Sequence, residues 1–287
     1  MLTRLSGPAQ PPQFDLYRPA LTATLPTILD HAPTTLRHPQ LRAGFEIAAA
    51  SAAGFRASLD RLGFTEIFSP KIVKSATEGG AIGFIADHFD VMAVCRDALA
   101  GMVDYVRERG GPAVQQLSAT LPDVPAEIPH LHFSEAMELI SAATGEDVRD
   151  EPDLAPAHER WLCQWAEREH GSELVFITGY PLHSKPFYTY ADPERPRYSY
   201  GFDLLFRGSE IVTGGQRLHR HEDYLKALAA RGLDPAPFGG FLQVFEHGMP
   251  PHGGFAIGLE RWTARLTGAA NLRQVTLFPR DLHRLSP

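Results

Sequence analysis

HGMPPHGGFAIGLER, running from His247 to Arg261, changes backbone character three times in a short span. Pro250 and Pro251 exclude regular structure at its start. Gly253 and Gly254 follow, where backbone can approach a ligand with no Cβ in the way. Phe255-Ala256-Ile257 then reads as a short strand, and a helical pattern begins at Gly258 with Arg261 in its first turn. An arginine at a strand-to-helix junction behind glycines is placed to meet a nucleotide phosphate or a base face. The plainer alternative is an ordinary strand–turn–helix with a surface arginine.

The next stretch upstream that carries chemistry is FDLLFRGSEIVTGGQR, residues 202–217. Alternate residues of a strand share a face. Asp203 and Glu210 fall on successive strands joined by a tight Arg207-Gly208 turn, so their carboxylates can converge. Two hard oxygen ligands with the Thr213 hydroxyl suit Mg²⁺, which keeps waters and takes further ligands from phosphates. Arg217 offers a planar fork for a carboxylate. A surface charge ladder across an antiparallel sheet is the competing reading of the same pattern.

Around these stretches the chain divides by pattern. Residues 1–38 are proline-rich and read as an extended arm or hinge remnant, and residues 39–287 as the main domain. Apolar residues at three- and four-residue steps predict helices over 41–62, closed by Gly63, and over 87–108, closed by Gly110-Gly111-Pro112. A helix opened by Ser134 and another over 155–170 follow. Strands are expected at 64–68, 174–177, 187–190 and 198–206, in two segments over 210–219, and at 275–278. Helices are expected at 222–231, 238–246 and 259–266. Strands in succession point to antiparallel pairing, hence an α+β fold.

Composition narrows the function. A net charge of −7 gives no general attraction to nucleic acid, so any RNA contact must be local. Two cysteines without a CxxC exclude a disulfide framework and a cysteine metal site. No charged-then-apolar leader and no membrane-length apolar run is visible, so the expectation is a soluble cytoplasmic protein. His130-x-His132 and His219-x-His221 each lack an obvious third zinc ligand. Glu78, in a polar loop closed by Gly79-Gly80, is either a solvated acid or an acceptor for a ligand ammonium.

Five stretches in order now carry a resemblance: GFTEIFSPKIV, SATEGG, FDLLFRGSEIVTGGQRLHR, GMPPHGGFAIGLERW and NLRQVTLFPRD. Together they resemble the catalytic core of an aspartyl-tRNA synthetase of the archaeal type. The resemblance implies the class II synthetase fold, an antiparallel sheet flanked by helices, and a homodimer through the first motif around Pro70. It implies that aspartate and ATP react to aspartyl-adenylate, with transfer to the acceptor end of tRNA and Mg²⁺ as cofactor. Residue by residue, it implies Glu78 on the substrate ammonium, Arg217 with Gln216 on the aspartate side, and Asp203, Glu210 and Thr213 on the metal. Glu210, Gly258 and Arg261 fall to ATP, with Arg261 and Arg217 taking part in the chemistry. Thr213 stands where the family usually has serine.

The departures are as informative. The family's second motif, with an arginine on the ATP α-phosphate, has no counterpart, and the junction falls near Ala81-Ile82. Of what the family carries before its core, including an anticodon-binding domain, these residues are expected to hold only the hinge-like FDLYRPAL from Phe14 to Leu21. Losing one such charge-stabilising contact typically costs about two to three orders of magnitude in rate. The missing segment also implies an incomplete sheet. Arg195, Arg197 and Arg207 are the arginines left to substitute in part. The alternatives are a non-catalytic paralogue that binds aspartate or nucleotide, and an aspartate amide ligase independent of tRNA.

Overall fold

The computed structural model describes residues 21–68 and 88–284. Pro70, Glu78 and the Ala81-Ile82 junction lie outside the described residues, as does the stretch from Phe14 to Ala20.

Two short helices open the described chain, α1 (Leu25–Asp30) and α2 (Ala32–Thr35). The extended arm expected here is therefore corrected over these residues. Pro26 and Pro33 sit in the first turn of each helix, where a missing N–H costs nothing. Both helices face the C-terminal stretch, with Ile28, Leu29 and Leu36 across a shallow cavity from Phe278 and Pro279.

α3 (Pro39–Arg61) and α4 (His88–Arg109) match the two predicted helices. Gly63, at φ +84°, ends the first as expected. The glycine–proline stop after α4 is instead the start of α5 (Gly111–Leu117), with Pro112 in its first turn. The predicted strand at 64–68 is absent, and Ile67 and Phe68 there are 72% and 89% exposed.

The sheet runs in chain order: β1 (His130–His132), β2 (Leu174–Thr178), β3 (Gly201–Phe206), β4 (Ser209–Arg217) and β5 (His252–Ile257). Three pairings are antiparallel, while β1 lies parallel to β2. α6 (Phe133–Thr144) and α7 (Pro156–His170) make the crossover between β1 and β2, which a parallel pair requires. α8 (His221–Ala230), α9 (Gly239–Glu246) and α10 (Leu259–Thr267) match their predicted spans closely.

Three strand expectations are corrected. Residues 187–190 form a loop with a single bridge from Thr189 to Arg217. Residues 210–217 are one continuous strand through Gly214-Gly215. Residues 275–278 follow a short 3₁₀ turn, Leu272–Gln274, and form no strand. The first and last are short apolar or aromatic runs, whose content alone does not fix a strand.

Alternation in the sheet divides the core. Phe176, Phe202, Leu204 and Val212 pack with α3 and α4 and with Trp262 of α10. Val175, Ile177 and Leu205 point the other way, to α6 and α7. β2 and β3 are thus covered on both sides. On β4 and β5 the second face is open, and Thr213 and Ala256 are exposed there. A third cluster joins Tyr224, Leu228, Leu242 and Phe245 of α8 and α9. No helix among the described residues is long and apolar enough to cross a membrane.

α3 and α4 touch through small residues. A Cβ at Gly54 would lie 2.4 Å from the Gly101 carbonyl oxygen and 2.9 Å from Met102 Cα. Gly54→Ala is therefore expected to lower the unfolding free energy by about 1–3 kcal/mol, the usual cost of overpacking. Intrinsic helix propensity alone predicts the opposite sign, by about 1 kcal/mol. Urea unfolding decides between them.

α6 is capped two residues earlier than the sequence suggests. His132, not Ser134, is the cap: its Nδ1 accepts from the Ser134 N–H at 3.2 Å, and Glu135 accepts from the His132 N–H at 3.2 Å. Burial holds the imidazole below its ordinary pKa, helped by Arg195. Protonation removes the acceptor that makes the cap. The unfolded chain takes up that proton at about pH 6.5, the folded chain only below it. Stability is present above that pH and is lost as pH falls through the folded value. The drop in melting temperature from pH 7.5 to 5.5 is expected to shrink in His132→Asn, which keeps a capping acceptor without a titrating ring.

Candidate active site

β3 and β4 are joined at Arg207 and Gly208, both with positive φ (45° and 79°), the backbone a two-residue hairpin requires. Arg207 is fixed by Glu173 at 2.6 Å and donates to the carbonyls of Thr120 and Arg265. It is therefore committed to the hairpin, which corrects its expected role as a substitute phosphate ligand. Arg195 pairs with Asp192 at 3.2 Å, and Arg197 lies over the Tyr198 ring.

The hairpin register decides the site. Asp203 stands opposite Thr213, which stands opposite Ala256 of β5. Glu210 is three residues before Thr213, so in a regular strand it would face the other way. It does not, because Leu205 pairs with Glu210 while Leu204 pairs with Val212. Ile211 is the extra residue of a bulge, and Ile211 and Val212 both turn into the first core. Leu205 faces the α6–α7 side, and so does Glu210 opposite it. Asp203, Glu210, Thr213 and, two steps beyond Gly215, Arg217 thus share one face of the sheet.

Cations meet the acids there. Lys185 Nζ lies 3.0 and 2.9 Å from the two Asp203 oxygens and 3.7 Å from the centre of the Tyr180 ring. Arg261 Nη1 lies 3.3 Å from Glu210 Oε1 and 3.1 Å from its backbone carbonyl. Burial and then the Asp203 charge raise the Glu210 carboxyl above its ordinary pKa. Glu159 of α7 is raised too, by burial first. Arg217 sits toward the far end of β4, its guanidinium 4.9 Å over the Tyr188 ring, with buried His252 opposite on β5. Gln216 pairs through its backbone with Tyr190 and Tyr200. Gly258 caps α10 and its N–H returns to the Ile211 carbonyl.

The acids fit a divalent cation of the Mg²⁺ kind. Two carboxylates near enough to repel each hold a cationic side chain, and an exposed hydroxyl lies opposite one of them. No group of three or more His, Cys, Asp or Glu among the described residues is placed to hold a metal. Two carboxylates and a hydroxyl leave coordination positions to water and phosphate.

Paired acids and two arginines thus line one side of the sheet, closed by a strand–glycine–helix turn. The chain belongs to the class II tRNA synthetases: the family model for tRNA synthetases class II (D, K and N) matches residues 85–282. It is 36% identical to the aspartate–tRNA(Asp/Asn) ligase of Thermus thermophilus, over 99% of this chain and 80% of that protein. It is 30% identical to the aspartate–tRNA(Asp) ligase of Pyrococcus horikoshii, over 92% and 74%. Among solved structures, an aspartyl-tRNA synthetase of Entamoeba histolytica superposes with a TM-score of 0.81 at 26% identity. That match covers 93% of this chain and 64% of the Entamoeba chain. An asparaginyl-tRNA synthetase of Pyrococcus horikoshii with asparaginyl-adenylate shares the fold, with a TM-score of 0.82. The Thermus alignment runs to 342 positions against 287 residues here, so at least 55 of its positions have no counterpart in this chain. Because it spans nearly the whole chain, that difference is internal.

Sequence reasoning missed Lys185 and Glu159. Lys185 lies in an irregular loop before Pro186 and Glu159 on an exposed-looking helical turn, so neither had a periodic signal. Lys185 and Asp203 are 13% and 5% exposed, which makes the pair a buried one. Lys185→Met is expected to cost about 3 kcal/mol of stability, since it strands a buried carboxylate. Adding Asp203→Asn should restore part of that loss in equilibrium unfolding.

Proposed function

We propose that this chain activates aspartate with ATP to aspartyl-adenylate and passes the aspartyl group to tRNA. The observation that carries the reading is the gathering of Asp203, Glu210, Thr213 and Arg261 on one side of the sheet, where the cover over β3 gives way to the open face of β4, with Arg217 farther along it. Arg217 and Gln216 take the aspartate side, and the Arg217 fork grips the side-chain carboxylate in two bonds. Lys185 adds a second cation on the same floor. Arg261 and Gly258 take the nucleotide, and Glu78, outside the described residues, takes the substrate ammonium. Mg²⁺, when held by Asp203, Glu210 and Thr213, supplies charge neutralisation for the phosphates. The arginine at Arg261 then gives up Glu210 for phosphate, and Lys185 balances Asp203.

The same reading carries a homodimer through the segment at Pro70. The exposed Ile67 and Phe68 that lead into it support this. It also places the protein in the cytoplasm with its tRNA. The internal difference of at least 55 positions from the Thermus relative favours a second reading, a synthetase-fold protein that binds aspartate or nucleotide without turnover.

Aspartate-dependent exchange of pyrophosphate into ATP separates the two. The wild type is expected to exchange. Arg217→Ala should lower kcat/KM for aspartate roughly a hundredfold, from about 3 kcal/mol of lost charge pairing. A folded, magnesium-loaded wild type that binds aspartate by calorimetry yet shows no exchange would reject the first reading and select the second.

A further inference from the structure

β5 ends opposite Val212, so Glu210 lies past the last residue that β5 reaches. Its backbone groups are instead met by side chains. The N–H donates to Glu159 Oε2 at 3.1 Å, and the carbonyl accepts from Arg261 at 3.1 Å. Glu159 stands on α7, one helical turn before Cys163. The buried Cys163 thiol lies beside the Gly208-Ser209 backbone. Between them, Arg160 packs on the turn so closely that a Cβ at Gly208 would be 2.9 Å from Arg160 Cγ. The hairpin thus packs on one face of α7, and the Glu210 N–H is bonded to it.

We propose that Glu159 is a positioning residue for Glu210: by holding the Glu210 N–H beside the Ile211 bulge, it keeps the Glu210 carboxylate on the open face for a divalent cation and nucleotide phosphate. This rests on the proposed nucleotide site. The physical need is local. A bulge leaves its extra residue unpaired and the ladder locally disrupted, so fewer backbone bonds hold the strand there. A register slip of one residue would turn Glu210 into the core. An acceptor fixed on a packed helix removes that freedom. Glu159 does this through its oxygen, not its charge.

The test compares wild type, Glu159→Gln and Glu159→Ala, each first shown to be folded by thermal unfolding. Amide hydrogen exchange of the peptide spanning 207–211 reads the hairpin directly. Mn²⁺ titration followed by electron paramagnetic resonance, with a non-hydrolysable ATP analogue present, reads the site without turnover. Glu159→Ala is expected to speed exchange of that peptide and weaken Mn²⁺ binding roughly tenfold or more. Glu159→Gln, whose amide oxygen still accepts, should stay near wild type in both. Unchanged Mn²⁺ affinity in Glu159→Ala overturns the proposal, whether or not exchange speeds up. Equal losses in both variants overturn it too, because charge would then be the cause. A wild type that takes up no Mn²⁺ with the analogue instead counts against the nucleotide site itself.

Discussion

One extra residue in one strand governs this structure. Side chains alternate along a strand, so Glu210 and Thr213 belong on opposite faces by counting. The bulge at Ile211 removes that conflict and brings both to the face that carries Asp203. The same insertion sends Ile211 and Val212 together into the core, so burial and chemistry are satisfied by one irregularity. Hydrophobic burial of two consecutive residues is what holds the bulge in place. The polar groups it frees are met by α7 and Arg261.

The sheet is asymmetric in the way an active domain needs. β2 and β3 are buried on both sides and form the rigid floor. β4 and β5 keep one face against α3, α4 and α10 and leave the other to solvent. Glu210 sits where the cover ends, desolvated enough for the buried Asp203 to raise its carboxyl yet still partly open to a ligand. Lys185 and Arg261 balance them. A buried carboxylate without such a partner would be neutralised instead of remaining an oxygen ligand.

Glycines at the β4–β5 contact serve the same geometry. A Cβ at Gly214 would stand 2.6 Å from the Phe202 ring, and one at Gly253 would stand 2.6 Å from Val91 of α4. Both point into the helix-covered face, so they let the helices press close. At Gly215, φ is +156° and a Cβ would meet the Tyr200 carbonyl at 2.5 Å. The glycines quoted from the sequence are therefore as much about packing as about ligand approach.

Much of this was written in the chain. Periodicity placed α3, α4, α7, α8, α9 and α10, because a long amphipathic stripe leaves few other ways to bury itself. The strand–glycine–helix turn before Arg261 and the hairpin at Arg207-Gly208 were legible from local backbone demands. Runs such as Phe187–Tyr190 and Val275–Phe278 misled, since apolar or aromatic content does not by itself fix conformation. The face of Glu210, the partner of Asp203 and the reach of Glu159 lay beyond any local pattern. The face of Glu210 depends on a bulge in the hairpin register, and the other two contacts join residues 18 and 51 positions apart. Local chemistry named the acids and arginines; only long-range pairing decided that they look out of the same side.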